Sequence, residues 1–165
     1  MERVHGTCVA IDGAGVLLRG PSGSGKSDLA LRLIDGGATL VGDDQLELSR
    51  VNDRLVARAP SPLQGQLEIR GIGVVAVEAV AQAPLALVVD LIPADQVIRF
   101  PDPATCHYLA LTVPLLALAA FEASTSWASP GMALRARRRC ARAMTNVCCS
   151  WRSSFGIPAC TASQL

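Results

Sequence analysis

Residues 20–27 have the sequence GPSGSGKS and decide the fold of this chain, because they fit the phosphate-binding pattern G-x-x-x-x-G-K-[ST]. Three glycines allow a tight backbone turn and a close approach to an anion, since no Cβ atom intervenes. Successive N–H groups can then point inward around phosphate oxygens. The pattern assigns Lys26, the only lysine of the chain, to the β- and γ-phosphates and the Ser27 hydroxyl to Mg²⁺. The predicted nucleotide contacts are Gly20, Ser22, Gly23, Ser24, Gly25, Lys26 and Ser27.

The segments on both sides of this loop predict a strand–loop–helix unit. Residues 15–19 form a short apolar run typical of a buried strand, and residues 28–35 permit a helix. The pair Gly36-Gly37 is expected to end that helix. Mixed strands around one such helix indicate the α/β class. Further strands are predicted at 4–11, 38–41, 45–48, 67–69, 85–91 and 97–100, with a hairpin at 51–57 and apolar stretches around Pro114.

The composition is that of one domain with a sizeable apolar core, since half of the 165 residues are hydrophobic. No run of 18 or more apolar residues occurs, so no membrane span is expected. No apolar segment of a secretory signal directly follows residues 1–5. We therefore expect a cytoplasmic protein with reduced cysteines.

Charge and cysteine content change abruptly near residue 123. All 14 acidic residues lie in 1–122, whereas 123–165 contain six arginines, four of the six cysteines and both tryptophans. We expect a catalytic domain at 1–124 and a divergent basic, Cys-rich tail at 125–165. A reading-frame shift, a natural basic tail and a cysteine-based metal or redox element are three interpretations of this tail. The six arginines of the tail, without interleaved acidic residues, could also contact nucleic acid, but nothing else in the sequence supports such a partner.

Catalysis at a phosphate-binding loop requires a carboxylate for Mg²⁺ and a group that handles the nucleophile. Asp43 and Asp44 follow the apolar run 38–41, and one could hold Mg²⁺ while the other takes a proton from a hydroxyl. The alternative for this pair is a polar turn after a strand. Asp90 also follows an apolar run and has the appearance of a Walker B carboxylate, or simply of a polar strand end.

The chain has two histidines, His5 and His107. On pattern alone, His5 at the start of a strand is more typical of a structural residue than of a catalytic one. His107 follows Cys106 directly, and this adjacent pair lacks the ligand spacing of a zinc site.

Four stretches resemble the catalytic domain of HPr kinase/phosphorylase, the bacterial serine kinase of the sugar phosphotransferase system. They are VHG at 4–6, GPSGSGKS at 20–27, VGDD at 41–44 and LEIRGIG at 67–73. The last is the most discriminating, because many unrelated proteins carry the phosphate-binding loop. The resemblance covers about residues 3–122 and is to the short form, lacking an N-terminal domain, found in α-proteobacteria. The segment FEAS at 121–124 also fits short members, but the sequence after it departs from them.

The resemblance implies a role for each matching residue. Asp43 would be the general base when the HPr serine attacks the γ-phosphate, and the general acid in the reverse attack by inorganic phosphate. Asp44 would support Mg²⁺, and His5 would act near the catalytic aspartate. Glu68 would contribute to a second metal, and Arg70 to phosphate binding or active-site positioning.

The resemblance also implies a P-loop fold of the phosphoenolpyruvate carboxykinase type, ATP and Mg²⁺ as cofactors, and a homo-oligomer, commonly a hexamer. The expected activity is ATP-dependent phosphorylation of a serine in HPr or an HPr-like phosphocarrier protein, with reverse phosphorolysis as a second reaction. Two alternatives use the same loop: a kinase for a small metabolite, and a nucleotide-binding regulatory module without catalysis.

Overall fold

A computed structural model describes residues 1–121 of the chain, as eleven strands, one α-helix and two short 3₁₀ turns. The expected tail at 125–165 and most of the FEAS segment lie outside the described residues. The helix α1 spans Lys26–Asp35, and the 3₁₀ turns span Ser61–Leu63 and Ala94–Gln96. The strands are β1 Glu2–His5, β2 Thr7–Ile11, β3 Ala14–Arg19, β4 Thr39–Gly42, β5 Gln45–Val51, β6 Arg54–Arg58, β7 Gln66–Ile69, β8 Gly73–Ala76, β9 Ala83–Leu91, β10 Ala104–Tyr108 and β11 Leu111–Leu118.

A nine-stranded mixed sheet forms the body of the structure, with β9 near its centre. Strand β9 pairs in parallel with β3 and β11, and antiparallel with β6. The main path of the sheet runs β1-β5-β6-β9-β3-β2-β4, and β10 extends it by pairing with β11. Strands β7 and β8 form a separate antiparallel hairpin. This architecture confirms the predicted α/β class, in a form dominated by the sheet.

Two apolar clusters pack against this framework, and one of them holds α1 in place. One cluster joins α1, through Leu29 and Ala30, to residues of β2, β3, β4, β7 and β9. The other cluster contains residues of β5, β6, β10 and β11, together with parts of β2, β3 and β9. Leu67 of β7 is fully buried in the first cluster, so the small hairpin is anchored to the helix side of the sheet.

The predicted strand at 4–11 is wrong in one respect, because the chain divides it at Gly6. Before the break, β1 pairs with β5, and His5 lies opposite Gln45. After the break, β2 pairs with β4, and Cys8 lies opposite Gly42. A Cβ atom at Gly6 would lie 2.5 Å from the carbonyl oxygen of Leu18, a distance that excludes any side chain. The two halves of the sheet therefore separate at this glycine.

The structure confirms most of the other predicted elements, contradicts one and adds two strands. The helix and its glycine stop, the strands near 15–19, 38–41, 45–48, 67–69 and 85–91, and the 51–57 hairpin are confirmed. At the hairpin turn, Asn52 and Asp53 take φ values of 47° and 60°, as a two-residue turn between twisted strands requires. The predicted strand at 97–100 is wrong, since these residues are bends and coil. Strands β8 and β10 were not predicted. No helix among residues 1–121 is long and apolar enough to cross a membrane.

Candidate active site

The loop at residues 20–25 connects the end of β3 to the first residue of α1, as the sequence predicts. Gly25 caps the helix in a left-handed conformation, with φ of 92° and no side-chain cap. A Cβ atom at this position would also lie 2.7 Å from the Cβ atom of Ala120. Within the described chain, the buried Ser24 hydroxyl has no hydrogen-bond partner. An uncapped helix start beside a glycine-rich turn and an unpaired hydroxyl suits an anion such as a phosphate.

Lys26 is folded across the loop to which it belongs. Its side chain is buried, and Nζ donates hydrogen bonds of 3.0 Å to the carbonyl oxygens of both Gly20 and Pro21. A lysine is rarely buried without such partners, because its charge must be compensated. The ammonium group is therefore held at the phosphate-binding loop and is not extended into solvent.

Asp43 is the buried carboxylate of the site, with 7% of its surface exposed. Its Oδ1 accepts a 2.6 Å hydrogen bond from the Thr7 hydroxyl, and its Oδ2 accepts a 3.0 Å bond from the Glu68 backbone N–H. The Ser27 hydroxyl lies 3.4 Å from each of the two oxygens. Four elements thus converge on one carboxylate: β2, the end of β4, β7 and the first turn of α1.

Asp44 lies in the opposite environment, although it is the next residue. Its side chain is 67% exposed, and its Oδ1 lies 3.3 Å from Nδ1 of His5, which is 58% exposed. The Asp44 backbone has φ of 64°, and its carbonyl oxygen accepts a 3.2 Å hydrogen bond from the Gly6 N–H. The structure therefore brings His5 together with Asp44, and Ser27 together with Asp43.

The segment LEIRGIG contributes a cation and a backbone donor to the site. The Arg70 guanidinium lies over Gly23, since a Cβ atom on that glycine would be 3.5 Å from the nearer terminal nitrogen. The Glu68 side chain is exposed, and it is the Glu68 amide that contacts Asp43. Among residues 1–121, no three His, Cys, Asp or Glu side chains form a group able to hold a metal ion. The side-chain oxygen atoms that the fold brings together here, at 3.4 Å, are those of Ser27 and Asp43.

Asp90 pairs with Arg19, which favours the polar strand end over the Walker B carboxylate among its two interpretations. It lies opposite Arg19 in the pairing of β9 with β3. Both of its oxygens accept 2.7 Å hydrogen bonds from that guanidinium, which also donates a 2.7 Å bond to the Tyr108 hydroxyl. The hydrogen bonds to Asp90 are the largest cause of the raised pKa of Arg19. The pair fixes β3 to β9 immediately before the phosphate-binding loop begins.

A family model of the HPr serine kinase C-terminal domain matches residues 1–99, more than half of the chain. The chain belongs to the HPr serine kinase C-terminal domain family. The match covers the phosphate-binding loop, the aspartate pair and the LEIRGIG segment, so the predicted resemblance is confirmed.

Curated relatives in this family are named HPr kinase/phosphorylase. The protein from Mycoplasma genitalium is 44% identical over 78 residues, which are 47% of this chain and 25% of that protein. The protein from Peptoclostridium acidaminophilum is 50% identical over 74 residues, which are 44% of this chain and 24% of that protein. The matched segment therefore spans about a quarter of the length of these relatives.

A solved structure agrees over a larger part of the chain. The HPr(Ser) kinase/phosphatase from Coxiella burnetii aligns with a TM-score of 0.72 and 27% identity. The alignment covers 86% of this chain and 99% of that structure. The mixed α/β fold described above is therefore the fold of an HPr kinase structure.

Sequence reasoning missed two contacts of Asp43: the Thr7 hydroxyl and the Glu68 amide. A signal for Thr7 was present, because it is the one hydroxyl residue in the run TCVAI, whose other members are apolar. A polar residue inside a buried strand requires a partner. The amide contact of Glu68 leaves no signal in the residue type, since any residue except proline supplies the same donor.

Proposed function

We propose that this protein transfers the γ-phosphoryl group of ATP to a serine of HPr or an HPr-like phosphocarrier protein. The observation that supports this most directly is the position of Asp43 beside Ser27 at the start of α1. A carboxylate there can serve both the metal and the nucleophile of a phosphoryl transfer. The names of the family's curated relatives, HPr kinase/phosphorylase, supply the protein substrate.

The residues of the loop fit the triphosphate of ATP. The N–H groups of residues 20–27, the Lys26 ammonium and the Arg70 guanidinium would hold the phosphate oxygens, and the N-terminal end of α1 adds its partial positive charge. This arrangement supports the expected P-loop fold of the phosphoenolpyruvate carboxykinase type. Mg²⁺, held by Ser27 and Asp43, would supply charge neutralisation between phosphate oxygens. Support of that ion by Asp44 and of a second ion by Glu68 stays a prediction.

Asp43 is the proposed general base. As the serine Oγ forms a bond to the γ-phosphorus, the bond from that phosphorus to the leaving oxygen of ADP breaks, and the serine proton passes to the Asp43 carboxylate. In the reverse reaction, an oxygen of inorganic phosphate forms a bond to the phosphorus of phosphoserine, the bond from that phosphorus to the serine Oγ breaks to give pyrophosphate, and protonated Asp43 donates its proton to that Oγ. His5 and Asp44, which face each other at the surface beside Asp43, would contact the incoming protein segment.

Two parts of the proposal rest on the family resemblance alone: the reverse phosphorolysis, and assembly into a homo-oligomer such as a hexamer. Action in the cytoplasm, where the phosphocarrier would be encountered, stays an expectation from the sequence pattern. None of them is required by the geometry of Asp43 and Lys26.

The test is incubation of the protein with labelled ATP, Mg²⁺ and HPr, followed by measurement of label on the HPr serine. Lys26→Ala should lower the transfer rate by about a hundredfold or more, because it removes a phosphate contact that strengthens in the transition state. Arg50→Ala is the matched control: it removes one cation from the turn at the far end of β5, where Arg50 pairs with Asp53. Its transfer rate should equal that of the unmutated protein.

The outcomes separate the alternatives. Label on the HPr serine that Lys26→Ala loses and Arg50→Ala keeps would support the proposal. ATP binding without transfer would favour a regulatory module, and transfer to a metabolite but not to HPr would favour a small-molecule kinase. Failure of the unmutated protein to bind ATP would contradict all three.

A further inference from the structure

Thr7 is a fully buried polar residue at the start of a strand that is otherwise apolar. No part of its surface is exposed, and its neighbours Cys8 and Val9 are also fully buried. A hydroxyl buried without a partner destabilises the folded state. Among residues 1–121, the Thr7 hydroxyl has one hydrogen-bond partner, Oδ1 of Asp43, at 2.6 Å. A short hydrogen bond thus joins the buried Thr7 side chain to the proposed catalytic carboxylate of Asp43, which lies 36 residues later in the sequence.

The donors around Asp43 are divided between its two oxygens. Thr7 donates to Oδ1, and the Glu68 amide donates to Oδ2. With one donor on each oxygen, the carboxylate cannot rotate about its Cβ–Cγ bond without losing one of them. The Ser27 hydroxyl, which is 3.4 Å from each oxygen, faces the carboxylate from the first turn of α1. The two short hydrogen bonds therefore set the plane in which Asp43 faces Ser27.

The backbone around Thr7 makes it a rigid donor. Thr7 lies opposite Leu18 in the pairing of β2 with β3, and the next residue, Cys8, lies opposite Gly42 in the pairing with β4. Both neighbouring strands are fixed, and a β-branched side chain has few rotamers available. The hydroxyl position is consequently determined by the sheet itself, one residue after the break at Gly6.

We propose that Thr7 is a positioning residue that orients the Asp43 carboxylate for proton transfer. The inference rests on the proposed kinase function, which it extends by one residue. Thr7 is shielded from solvent, and among residues 1–121 its hydroxyl bonds to Asp43 and not to the nucleotide loop, so we expect its contribution to act through Asp43. Loss of its hydroxyl should lower the rate of transfer and leave the affinity for ATP almost unchanged.

Two substitutions separate the hydroxyl from the shape of the side chain. Thr7→Val keeps the branched shape and removes the hydroxyl, whereas Thr7→Ser keeps the hydroxyl. Thr7→Val should reduce kcat for HPr phosphorylation by about tenfold or more, the loss expected when a hydrogen bond to a charged group is deleted. Its KM for ATP should change by less than about twofold, since uniform binding is unaffected. Thr7→Ser should restore kcat to within about threefold of the unmutated value, because the donor is retained.

A second readout does not depend on activity. The backbone amide of Glu68 reports the orientation of Asp43, because it donates to Oδ2. In the full-length protein, Thr7→Val should shift the Glu68 amide resonance in a ¹H–¹⁵N spectrum, and Thr7→Ser should leave it near its original position. In the background of Asp43→Asn, Thr7→Val should cause no further loss of kcat, since two residues that act as a unit are not additive.

The results that overturn the inference are specific. Unchanged kcat in Thr7→Val, together with an unmoved Glu68 resonance, would show that the hydroxyl does not orient Asp43. Equal losses of kcat in Thr7→Val and Thr7→Ser would assign the effect to packing and would also reject the inference. If the unmutated protein transfers nothing to HPr, the proposed function fails, and the Glu68 resonance alone then decides the role of Thr7.

Discussion

Asp43 and Asp44 are adjacent in sequence, yet the backbone directs them into different surroundings. The left-handed conformation of Asp44, with φ of 64°, turns the chain between β4 and β5. Asp43 therefore stays inside the structure with three hydrogen-bond donors, and Asp44 lies at the surface beside His5. Aspartate is one of the few residues that tolerate this conformation. The different surroundings thus favour different roles for the two carboxylates, a point that the residue pattern alone left open.

Asp90 should stabilise the fold through its pair with Arg19. We expect Asp90→Asn to lower the free energy of unfolding by about 1–2 kcal/mol, because one charge-assisted bond is weakened and the guanidinium is left without its counter-charge. The exposed pair Arg50–Asp53 provides the control. There Asp53→Asn, at a side chain that is 80% exposed, should change stability by less than about 0.5 kcal/mol. Urea unfolding of both variants measures the difference, and equal effects would contradict the structural role of Asp90.

Cys8 should make the protein less stable in alkali. Burial raises the pKa of its thiol from 9.0 to about 12, so the unfolded chain loses this proton at a lower pH than the folded protein. The contribution of Cys8 to stability is fully present below pH 9 and is lost as the pH rises toward 12. Each pH unit in this interval should remove about 1.4 kcal/mol.

The matched variant for this prediction is Cys8→Ala, compared under reducing conditions. Its free energy of unfolding should fall less steeply between pH 9 and 10.5 than that of the unmutated protein, because the titrating group is absent. Parallel curves for the two proteins would show that the Cys8 thiol does not contribute to the pH dependence.

Among the elements, the junction between β1 and β2 organises the site. On one side of Gly6, His5 faces Asp44; on the other, Thr7 donates to Asp43. The Gly6 N–H itself donates to the Asp44 carbonyl oxygen. Three consecutive residues thus contact two consecutive aspartates, at the point where the two halves of the sheet diverge. A continuous strand, as the apolar pattern predicts, would not produce this arrangement.

Gly6→Ala should therefore reduce activity more than a glycine substitution in a turn away from the site. Its Cβ atom would overlap the backbone oxygen of Leu18, which belongs to a central strand and cannot move freely. We expect a loss of about 1–3 kcal/mol in stability, typical of overpacking, and transfer to HPr reduced well beyond what the remaining folded fraction explains. Gly13→Ala is the control, since a Cβ atom there has no neighbour within 4 Å and only its φ of 80° resists the change. Comparable transfer rates per folded molecule in the two variants would contradict the role of the junction.

The hairpin of β7 and β8 contributes more to the site than the side chains of its sequence motif. The LEIRGIG pattern directs attention to the Glu68 and Arg70 side chains. In the structure, Arg70 lies over Gly23 of the 20–27 loop, whereas Glu68 contributes its backbone amide to Asp43. Leu67 is the residue that anchors the hairpin, with no exposed surface. The motif therefore specifies a hairpin in a fixed position as well as two side chains.

Across the described chain, the sequence predicts local structure better than it predicts which distant strands and side chains pair with each other. The loop at 20–27, α1 and the turn at Asn52-Asp53 follow from glycine positions and local patterns that act within a few residues. The approach of Thr7 to Asp43, the pairing of Arg19 with Asp90 and the place of β10 beside β11 depend on contacts between distant segments. Periodicity does not encode these contacts, so the interpretation of Asp90 was decided only by the sheet register.

We propose that Asp43 acts in phosphoryl transfer from ATP bound at the 20–27 loop. The most direct test of this proposal is single-turnover transfer from Mg²⁺-ATP to HPr by Asp43→Asn, with ATP affinity measured calorimetrically on the same samples and Asp53→Asn as the control. We predict that Asp43→Asn lowers the transfer rate by about a hundredfold or more, the scale of loss when a group acting in the transition state is removed. Its affinity for ATP should stay within about tenfold, a change of 1.4 kcal/mol or less. Transfer by Asp43→Asn at the rate of the unmutated protein would show that Asp43 does not act in the phosphoryl transfer.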